Sequence, residues 1–480
     1  MPWLPVVGLA AFKLAVTMVF GDRYGWHRDE LYYLASAHHL ALGYVDYPPV
    51  TPAITRLVQV AAPESVAALR FASVLAGALV VVLAALIARE LGGGRRAQVL
   101  AALAVVISPL FLGANFVFTT VSFDQLAWAL LLWPVARVLA GGDPRLWLLA
   151  GLALGVGLET KYTIAALAVA LAGGLLLTPA RRHLATRWPW LGAALAVALL
   201  APNLWWQAGH GWDSVAYTLN HRNHTDGPIV YWLLQLSAIH PLLLPLAIAG
   251  AVWLWRTGTF RALAWTAILV ELLFFATGGK AYYVAAIYPL LYAAGGVWLE
   301  QAVRSRLRQW AWMAAAAVIT LLEIPFLLPV LPAEVIARTG LLPSRPDFAE
   351  MYGWPDLAHH VATAYSALPL SDRRGAMILA ANYGEAGALD LYGPGLGLPP
   401  VVSPHLTYYY WAPARMSPDV VIAVGYQRKA LQSLFVDATQ VGTISNAYGV
   451  GNGEAGMPIF VCRSPRRPLW QAWPSLKLLD

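Results

Sequence analysis

The 480-residue chain is 59% hydrophobic and only 12% charged, with a mean hydropathy of +0.59. This composition excludes an ordinary soluble globular protein and indicates a polytopic membrane protein. The net charge of +7 is explained by basic loops between apolar segments, so it does not require a nucleic-acid partner. The single cysteine, Cys462, excludes an intrachain disulfide.

Apolar segments long enough to cross about 30 Å of hydrocarbon recur through the first two thirds of the chain. A re-entrant hairpin is the alternative for two short segments, at 146–160 and 162–179. The hydropathy pattern predicts about eleven transmembrane helices, near residues 4–20, 66–89, 97–114, 123–140, 146–160, 162–179, 188–206, 229–255, 261–277, 282–300 and 310–331.

The distribution of arginine predicts the orientation of these helices, because short cytoplasmic loops carry an excess of Lys and Arg. If the N-terminus lies inside, the inner loops hold most of the arginines, as at 95–96 and 181–182. We therefore predict an inside N-terminus and an odd number of spans. The polar first loop, residues 21–65, then lies outside.

The composition changes near residue 341, beyond which Pro, Gly and charged residues become more frequent. This change predicts a transmembrane domain, residues 1–335, followed by a soluble domain, residues 341–480, on the outer side. The soluble domain is predicted to be a small α/β layer. Its predicted strands are 376–380, 400–403, 420–424, 441–445 and 459–462, and its predicted helices are 385–391 and 427–435.

The first loop contains an adjacent pair of acids, Asp29 and Glu30. Neighbouring residues on a helix point about 100° apart, so both cannot face one substrate equally. We expect one acid to act on the substrate as a general base, while the other orients it or pairs with an arginine. The alternative is that Asp29 caps the helix that follows. Asp124, at the start of the fourth span, adds a third acid on the same side.

Two lysines lie in tight outer turns, each followed by tyrosine: Lys161 in ETKYT and Lys280 in GGKAYY. A compact ammonium group in such a turn is suited to binding a phosphate as a point charge. The alternative is a lysine that only reaches from a span to the membrane surface.

Histidines are also concentrated on the outer side. His221 and His224 have the spacing of two metal ligands on a helix, but the sequence assigns no third ligand. Hydrogen-bonding histidines at the membrane surface are the alternative, and His221 is in addition a candidate for substrate binding. A divalent cation is the one cofactor that this acid- and histidine-rich side could hold, and the sequence leaves its presence open.

Seven motifs, in order along the chain, resemble those of the dolichyl-phosphate-mannose protein mannosyltransferase superfamily. They are RDELYYLA (28–35), GYVDYPPVTP (43–52), LRFASVLAG (69–77), TTVSFDQLAW (119–128), LGVGLETKYT (154–163), GGKAYYVAAIYP (278–289) and ANYGEAGALDLYG (381–393). The resemblance is to the bacterial branch related to the lipid A aminoarabinose transferases. It implies an all-α polytopic GT-C glycosyltransferase domain in the plasma (inner) membrane, with its active site and soluble domain outside the cytoplasm.

The resemblance also implies roles for particular residues. The family's first-loop acidic motif matches Asp29 and Glu30, with Asp29 as the catalytic carboxylate, and its second acidic position matches Asp124. Its tyrosine before the tenth span matches Tyr283. Its basic positions at the outer ends of spans match Arg70, Lys161 and Lys280.

One motif departs from the aminoarabinose branch. That branch has a Glu-Lys pair directly before two prolines, with the lysine contacting phosphate, whereas this chain has Asp46 and Tyr47. We therefore expect substrate choice to differ at Asp46 and Tyr47. The positive charge for a donor phosphate must then come from Lys161, Lys280, Arg70 or Arg222.

These features predict that the protein transfers a hexosyl or pentosyl group from a polyprenyl-phosphate-linked donor. The acceptor is a hydroxyl of a protein, lipid or glycan, and the reaction is a single inverting displacement with Asp29 as base. Membrane lipids are further partners. The rival prediction is a transporter or flippase of lipid-linked sugars, but transporters usually carry internal repeats and charges near the membrane midplane. This sequence shows no repeat, and its charges gather at one face.

Overall fold

The computed structural model describes residues 2–221, 227–339, 342 and 345–479. The helices up to residue 221 are α1 (Trp3–Met18), α2 (Arg28–His38), α3 (Val50–Ala61), α4 (Val66–Glu90), α5 (Arg95–Ile107), α6 (Pro109–Phe116), α7 (Thr120–Leu139), α8 (Leu146–Leu158), α9 (Ile164–Leu176), α10 (Arg187–Gly209) and α11 (Asp213–His221). The next five are α12 (Gly227–Ile239), α13 (Leu243–Arg256), α14 (Arg261–Thr277), α15 (Tyr288–Ala302) and α16 (Arg306–Leu327). Short 3₁₀ segments precede or follow some of them, at Pro179–Ala185, Gly258–Phe260 and Ala281–Ile287.

Several of these helices are apolar enough to cross a membrane, so the chain is a multi-pass membrane protein. Among the described residues, five helices qualify by length and composition, or up to seven if each of two bent pairs is one span. Three further apolar helices, α1, α8 and α13, are shorter than a full span. The eleven spans and the inside N-terminus therefore remain predictions.

The C-terminal region, residues 345–479, contains a five-stranded sheet in the order β2-β1-β3-β5-β4. Strand β1 is parallel to β2 and β3, whereas β5 is antiparallel to β3 and β4. The strands are β1 (Met377–Ala380), β2 (Val401–Val402), β3 (Val420–Val424), β4 (Phe435–Thr443) and β5 (Pro458–Pro465). The helices beyond α16 are α17 (Ala333–Arg338), α18 (Pro346–Ala349), α19 (Trp354–Ser366), α20 (Leu370–Arg373), α21 (Tyr383–Tyr392), α22 (Tyr408–Trp411), α23 (Arg428–Gln432) and α24 (Leu469–Ala472).

The sheet contains a strand at each predicted position except the fourth. Strand β4 begins at Phe435, where a helix was expected to continue, and it ends at Thr443 rather than Ser445. It lies at the edge of the sheet, and most of its side chains are exposed. Polar residues such as Asp437 and Gln440 are accommodated on such an edge. They interrupt the apolar run that would predict a strand here.

The first loop and the C-terminal region share one hydrophobic core. Buried side chains of α2, including Leu31 and Tyr32, pack in the same cluster as Trp354 of α19 and Leu389 of α21. A separate and larger cluster fills the helical bundle. The first loop is therefore held between the bundle and the C-terminal region, and its acids lie where the two meet.

Candidate functional site

Helix α2 begins with a reciprocal cap in which the Asp29 carboxylate takes no part. The N-cap is His27, whose ring Nδ1 accepts a hydrogen bond from the Asp29 backbone N–H at 3.2 Å. The Glu30 carboxylate in turn accepts one from the backbone N–H of His27 at 2.8 Å. The alternative that Asp29 caps this helix is therefore wrong, because His27 and Glu30 satisfy the helix start between them.

Glu30 forms a buried ion pair with Arg70 of α4. Arg70 Nε and Nη2 donate to the two Glu30 carboxylate oxygens at 2.8 and 2.9 Å, and both side chains are fully buried. The remaining donors of the guanidinium bond to the carbonyl oxygens of Gly21, Arg23 and Gly25. Because each of its five N–H groups has a partner within the protein, Arg70 has none left for a donor phosphate.

Glu30 is equally committed, since it also accepts a hydrogen bond from the backbone N–H of Phe118 at 3.0 Å. We therefore revise two predicted roles. Glu30 is not placed to act on a substrate, and Arg70 is not placed to bind phosphate. Together they fix α2 against α4, and Glu30 is thus the acid of the two that pairs with an arginine.

Asp29 faces the C-terminal region. Its Oδ1 accepts a hydrogen bond of 2.8 Å from the hydroxyl of Tyr383, the first residue of α21. The two residues are 354 positions apart in the chain. The guanidinium of Arg28 lies 4.8 Å from the centroid of the Tyr383 ring. The Asp29 carboxylate is thus oriented by Tyr383, a residue that lies outside the helical bundle.

A cavity of about 630 Å³ brings together several other predicted site residues. This size is typical of small-molecule sites, which measure roughly 300–1,000 Å³. Its walls come from the segment before α3, the α8–α9 turn, α10, α11 and the turn after α14. The predicted site residues that line it are Asp46, Tyr47, Lys161, Lys280 and Tyr283.

The two lysines make this cavity cationic. Lys161 Nζ lies 4.7 Å from the ring centroid of Tyr283 and 5.4 Å from that of Tyr282. Burial lowers the pKa of Lys161 to about 8; the charge of Lys280 also lowers this pKa, whereas the charges of Asp124 and Asp29 raise it. A cavity wall that carries two lysines favours the binding of an anion, because opposite charge stabilises the charged form of an ammonium group.

Asp124 lies beside the cavity and holds the turn that carries Lys161. Its Oδ1 accepts a hydrogen bond from Trp128 Nε1 at 3.0 Å, and its Oδ2 accepts one from the Thr163 hydroxyl at 2.8 Å. Both oxygens are therefore engaged, and the side chain is buried. The geometry favours a positioning role for Asp124 over the predicted catalytic one.

Asp46 and Tyr47 line the cavity at the position where this chain departs from the aminoarabinose branch. The hydroxyl of Tyr32 donates to Asp46 Oδ1 at 3.1 Å, and the Tyr47 hydroxyl lies 2.6 Å from Ser36 Oγ. Burial raises the pKa of Asp46 to about 8; the hydrogen bond from Tyr32 opposes this rise, and the charge of Asp29 adds to it. Asp46 is therefore mostly a neutral carboxylic acid near pH 7.

Three predicted residues cannot be placed in this site. Arg222 lies outside the described residues, as does His224, and the side chain of His221 is not described although its backbone ends α11. Among the residues that the structure describes, there is no group of three or more His, Cys, Asp or Glu side chains able to hold a metal ion.

Uncharged residues of α10 complete the cavity wall and were missed by the search for ionisable groups. Asn203 Oδ1 accepts a hydrogen bond from the Tyr162 hydroxyl at 2.8 Å, and Gln207 Nε2 donates to Ser214 Oγ at 2.6 Å. All four side chains line the cavity. The signal was present in the sequence, because two amides four residues apart in an apolar helix lie on one face.

Comparison with known proteins supports the resemblance seen in the sequence. The family described as dolichyl-phosphate-mannose-protein mannosyltransferase matches residues 46–206. No protein with a curated description matches the chain at a significant level.

Solved structures match nearly the whole chain. ArnT from Cupriavidus metallidurans bound to undecaprenyl phosphate has a TM-score of 0.57 and 18% identity, covering 95% of this chain and 97% of that chain. Its apo state has a TM-score of 0.59 and 17% identity, with the same coverage of 95% and 97%. Arabinofuranosyltransferase AftD from mycobacteria has a TM-score of 0.54 and 15% identity, covering 96% of this chain and 40% of that chain. The predicted resemblance is confirmed, and the fold is that of ArnT.

Replacing Arg70 by Met should strongly destabilise the protein, because the buried Glu30 carboxylate would lose its cation. Breaking a buried pair in this way typically costs about 3–5 kcal/mol. Arg137→Met is a matched control, since the Arg137–Glu90 pair is partly exposed and such pairs contribute about 0–1 kcal/mol. Thermal unfolding in detergent compares the two variants. Equal melting temperatures would contradict the structural role of the Glu30–Arg70 pair.

Replacing Asp46 by Asn should change how stability depends on pH. The pKa of Asp46 is raised to about 8 in the folded protein, so its neutral form favours folding at low pH. That contribution is lost as the pH rises through about 8, whereas the Asn variant stays neutral. The melting temperature of Asp46→Asn, relative to the unmodified protein, should therefore increase from about pH 5 to about pH 8 and then level off. A difference that does not vary with pH would show that Asp46 is charged throughout.

Proposed function

We propose that this chain, which has the fold of the glycosyltransferase ArnT, transfers a sugar from a polyprenyl-phosphate-linked donor to an acceptor hydroxyl. The observation that carries the proposal is that Lys161 and Lys280 line one cavity with Asp46, close enough to Asp29 for its charge to act on Lys161. Cationic groups can stabilise the negative charge that develops on a leaving phosphate, and a nearby carboxylate can take the proton of the attacking hydroxyl.

The donor phosphate would lie between the two lysines. Negative charge develops on the phosphate as the bond to the sugar breaks, and ammonium groups already in place stabilise that charge without rearranging. Asp124 supports this arrangement because its hydrogen bond to Thr163 fixes the turn that carries Lys161. ArnT has been solved with undecaprenyl phosphate bound, which supports a carrier of this class.

Asp46 would sit beside the phosphate as a neutral acid. A carboxylate there would repel the donor, but burial raises the pKa of Asp46 to about 8, and a protonated carboxyl group can donate a hydrogen bond. The cavity also has an apolar lining that includes Leu204, Val215 and Leu219. This lining suits the first isoprene units of the carrier.

Asp29 would act as the general base. The acceptor oxygen attacks the anomeric carbon of the donor, its proton passes to the Asp29 carboxylate, and the bond from that carbon to the phosphate oxygen breaks with its electron pair leaving on the phosphate. One displacement inverts the anomeric configuration. We place this reaction at the outer face of a bacterial plasma membrane, in accord with the arginine distribution, with a protein, lipid or glycan as acceptor.

A direct assay distinguishes this enzyme from a transporter of lipid-linked sugars. The purified full-length protein would be incubated with polyprenyl-phosphate mannose or polyprenyl-phosphate arabinose, labelled in the sugar, together with total cell-envelope extract as a source of acceptor. The proposal predicts release of free polyprenyl phosphate and transfer of the label. A transporter would leave the donor intact with every donor and acceptor tried.

Asp29→Asn should abolish transfer, because an amide cannot take the acceptor proton. General base catalysis contributes about 10²–10⁴-fold, and a loss of that size in kcat is expected. Asp390→Asn is the matched control, since Asp390 also accepts a tyrosine hydroxyl, that of Tyr408, but lies on α21 of the C-terminal region and not in the first loop. The melting temperature of each variant checks folding. Normal turnover of a folded Asp29→Asn variant would falsify the assignment of the base.

A further inference from the structure

The C-terminal region contributes a hydrogen bond to the proposed base. The Tyr383 hydroxyl donates to Asp29 Oδ1 at 2.8 Å, and within the described part of the chain no other side chain bonds to that carboxylate. A carboxylate on a helix can turn about its side-chain torsions, so a single fixed donor decides which of its two oxygens is left for a substrate.

The Tyr383 side chain is itself held in place. Its ring lies between those of Tyr32 and His405, with centroids 4.7 and 5.2 Å away and interplanar angles of 21° and 13°. Its backbone N–H donates to His405 Nδ1 at 3.2 Å. Asn382 caps α21 in a reciprocal pair with Glu385, which fixes the start of the helix. The hydroxyl therefore has one position from which to donate.

Helix α21 can approach α2 this closely because a glycine lies at the contact. A Cβ atom on Gly387 would lie only 2.9 Å from Leu31 Cβ and 3.0 Å from the Leu31 carbonyl oxygen. The motif ANYGEAGALDLYG thus combines the tyrosine with the small residue that its position requires. Tyr383 and Gly387 together indicate that the contact between α21 and α2 serves to place the Tyr383 hydroxyl on Asp29 as well as to bury apolar surface.

We infer that Tyr383 is a positioning residue that holds Asp29 Oδ1, so that Oδ2 faces the acceptor hydroxyl, and that the C-terminal region thereby completes the active site. This inference rests on the proposed function. Burial, together with the charge of Asp29, raises the pKa of Tyr383 well above its ordinary value, so the hydroxyl remains a donor throughout the working pH range. Tyr383 therefore orients the base and does not exchange a proton with substrate.

Tyr383→Phe tests the inference, because it removes the hydroxyl and keeps the stacked ring. Hydrogen bonds to charged groups contribute about 1.5–3 kcal/mol, which corresponds to a decrease in kcat of about tenfold to a hundredfold. The KM for the donor should not change, since the lysines that bind phosphate are untouched. A merely structural role would not separate kcat from KM in this way.

Tyr408→Phe is the matched control. Tyr408 is buried in the same region, its ring centroid lies 5.8 Å from that of Tyr32, and its hydroxyl donates to Asp390 at 2.7 Å. This variant loses the same group and should keep the unmodified kcat. If the two variants have equal kcat values, the inference is wrong.

A second variant keeps the test decisive if Tyr383→Phe does not fold. Gly387→Ala keeps the Tyr383 side chain intact but forces α21, and with it the hydroxyl, away from α2, so kcat should again decrease while the KM for the donor is retained. An unchanged kcat in this variant would overturn the inference.

Failure of the proposed function is distinguished from failure of this inference by the Asp29→Asn variant, which would be active if the proposed function were wrong. An inactive Asp29→Asn variant with a fully active Tyr383→Phe variant refutes only the positioning role.

Discussion

The buried ion pair between Glu30 and Arg70 is the contact on which the arrangement of the site depends. Removing two charges from water is costly, and it is tolerated only where the remaining donors and acceptors are satisfied. Here the guanidinium reaches five acceptors and the carboxylate accepts four hydrogen bonds. The pair fixes the first turn of α2 against α4. Asp29, the preceding residue, takes no part in the pair and bonds instead to Tyr383 of the C-terminal region.

The cavity is formed by contacts among distant parts of the chain. The lysines come from two turns between membrane helices, and Asp46 comes from the first loop. Among the contacts of the C-terminal region with this loop are the hydrogen bond from Tyr383 to Asp29 and the bond from the Thr407 backbone N–H to the Tyr32 hydroxyl at 3.0 Å. Tyr32 in turn donates to Asp46. The C-terminal region thus supports Asp29 and Asp46. If it separated from the first loop, the proposed base and the donor site would both be affected.

Much of this arrangement follows from the sequence. The angle of about 100° between neighbouring helical residues predicted that Asp29 and Glu30 would have different partners, and the structure separates them in this way. The positions of Lys161 and Lys280 in turns predicted a shared site, and both line one cavity. The roles of Arg70 and Asp124 were less accessible, because a sequence shows which groups carry charge but not which partners already occupy them. Tyr383 could not be found by spacing, since its contact with Asp29 joins residues 354 positions apart. Hydropathy predicted about eleven spans, whereas five to seven of the described helices qualify by length and composition, because several apolar helices are short or bent.

The most direct test of the central claim is an experimental structure of the full-length protein with a polyprenyl-phosphate sugar bound. The proposal predicts that the phosphate lies within hydrogen-bond distance of both Lys161 Nζ and Lys280 Nζ, with the anomeric carbon on the side of Asp29. A donor phosphate bound outside this cavity, in contact with neither lysine, would contradict it.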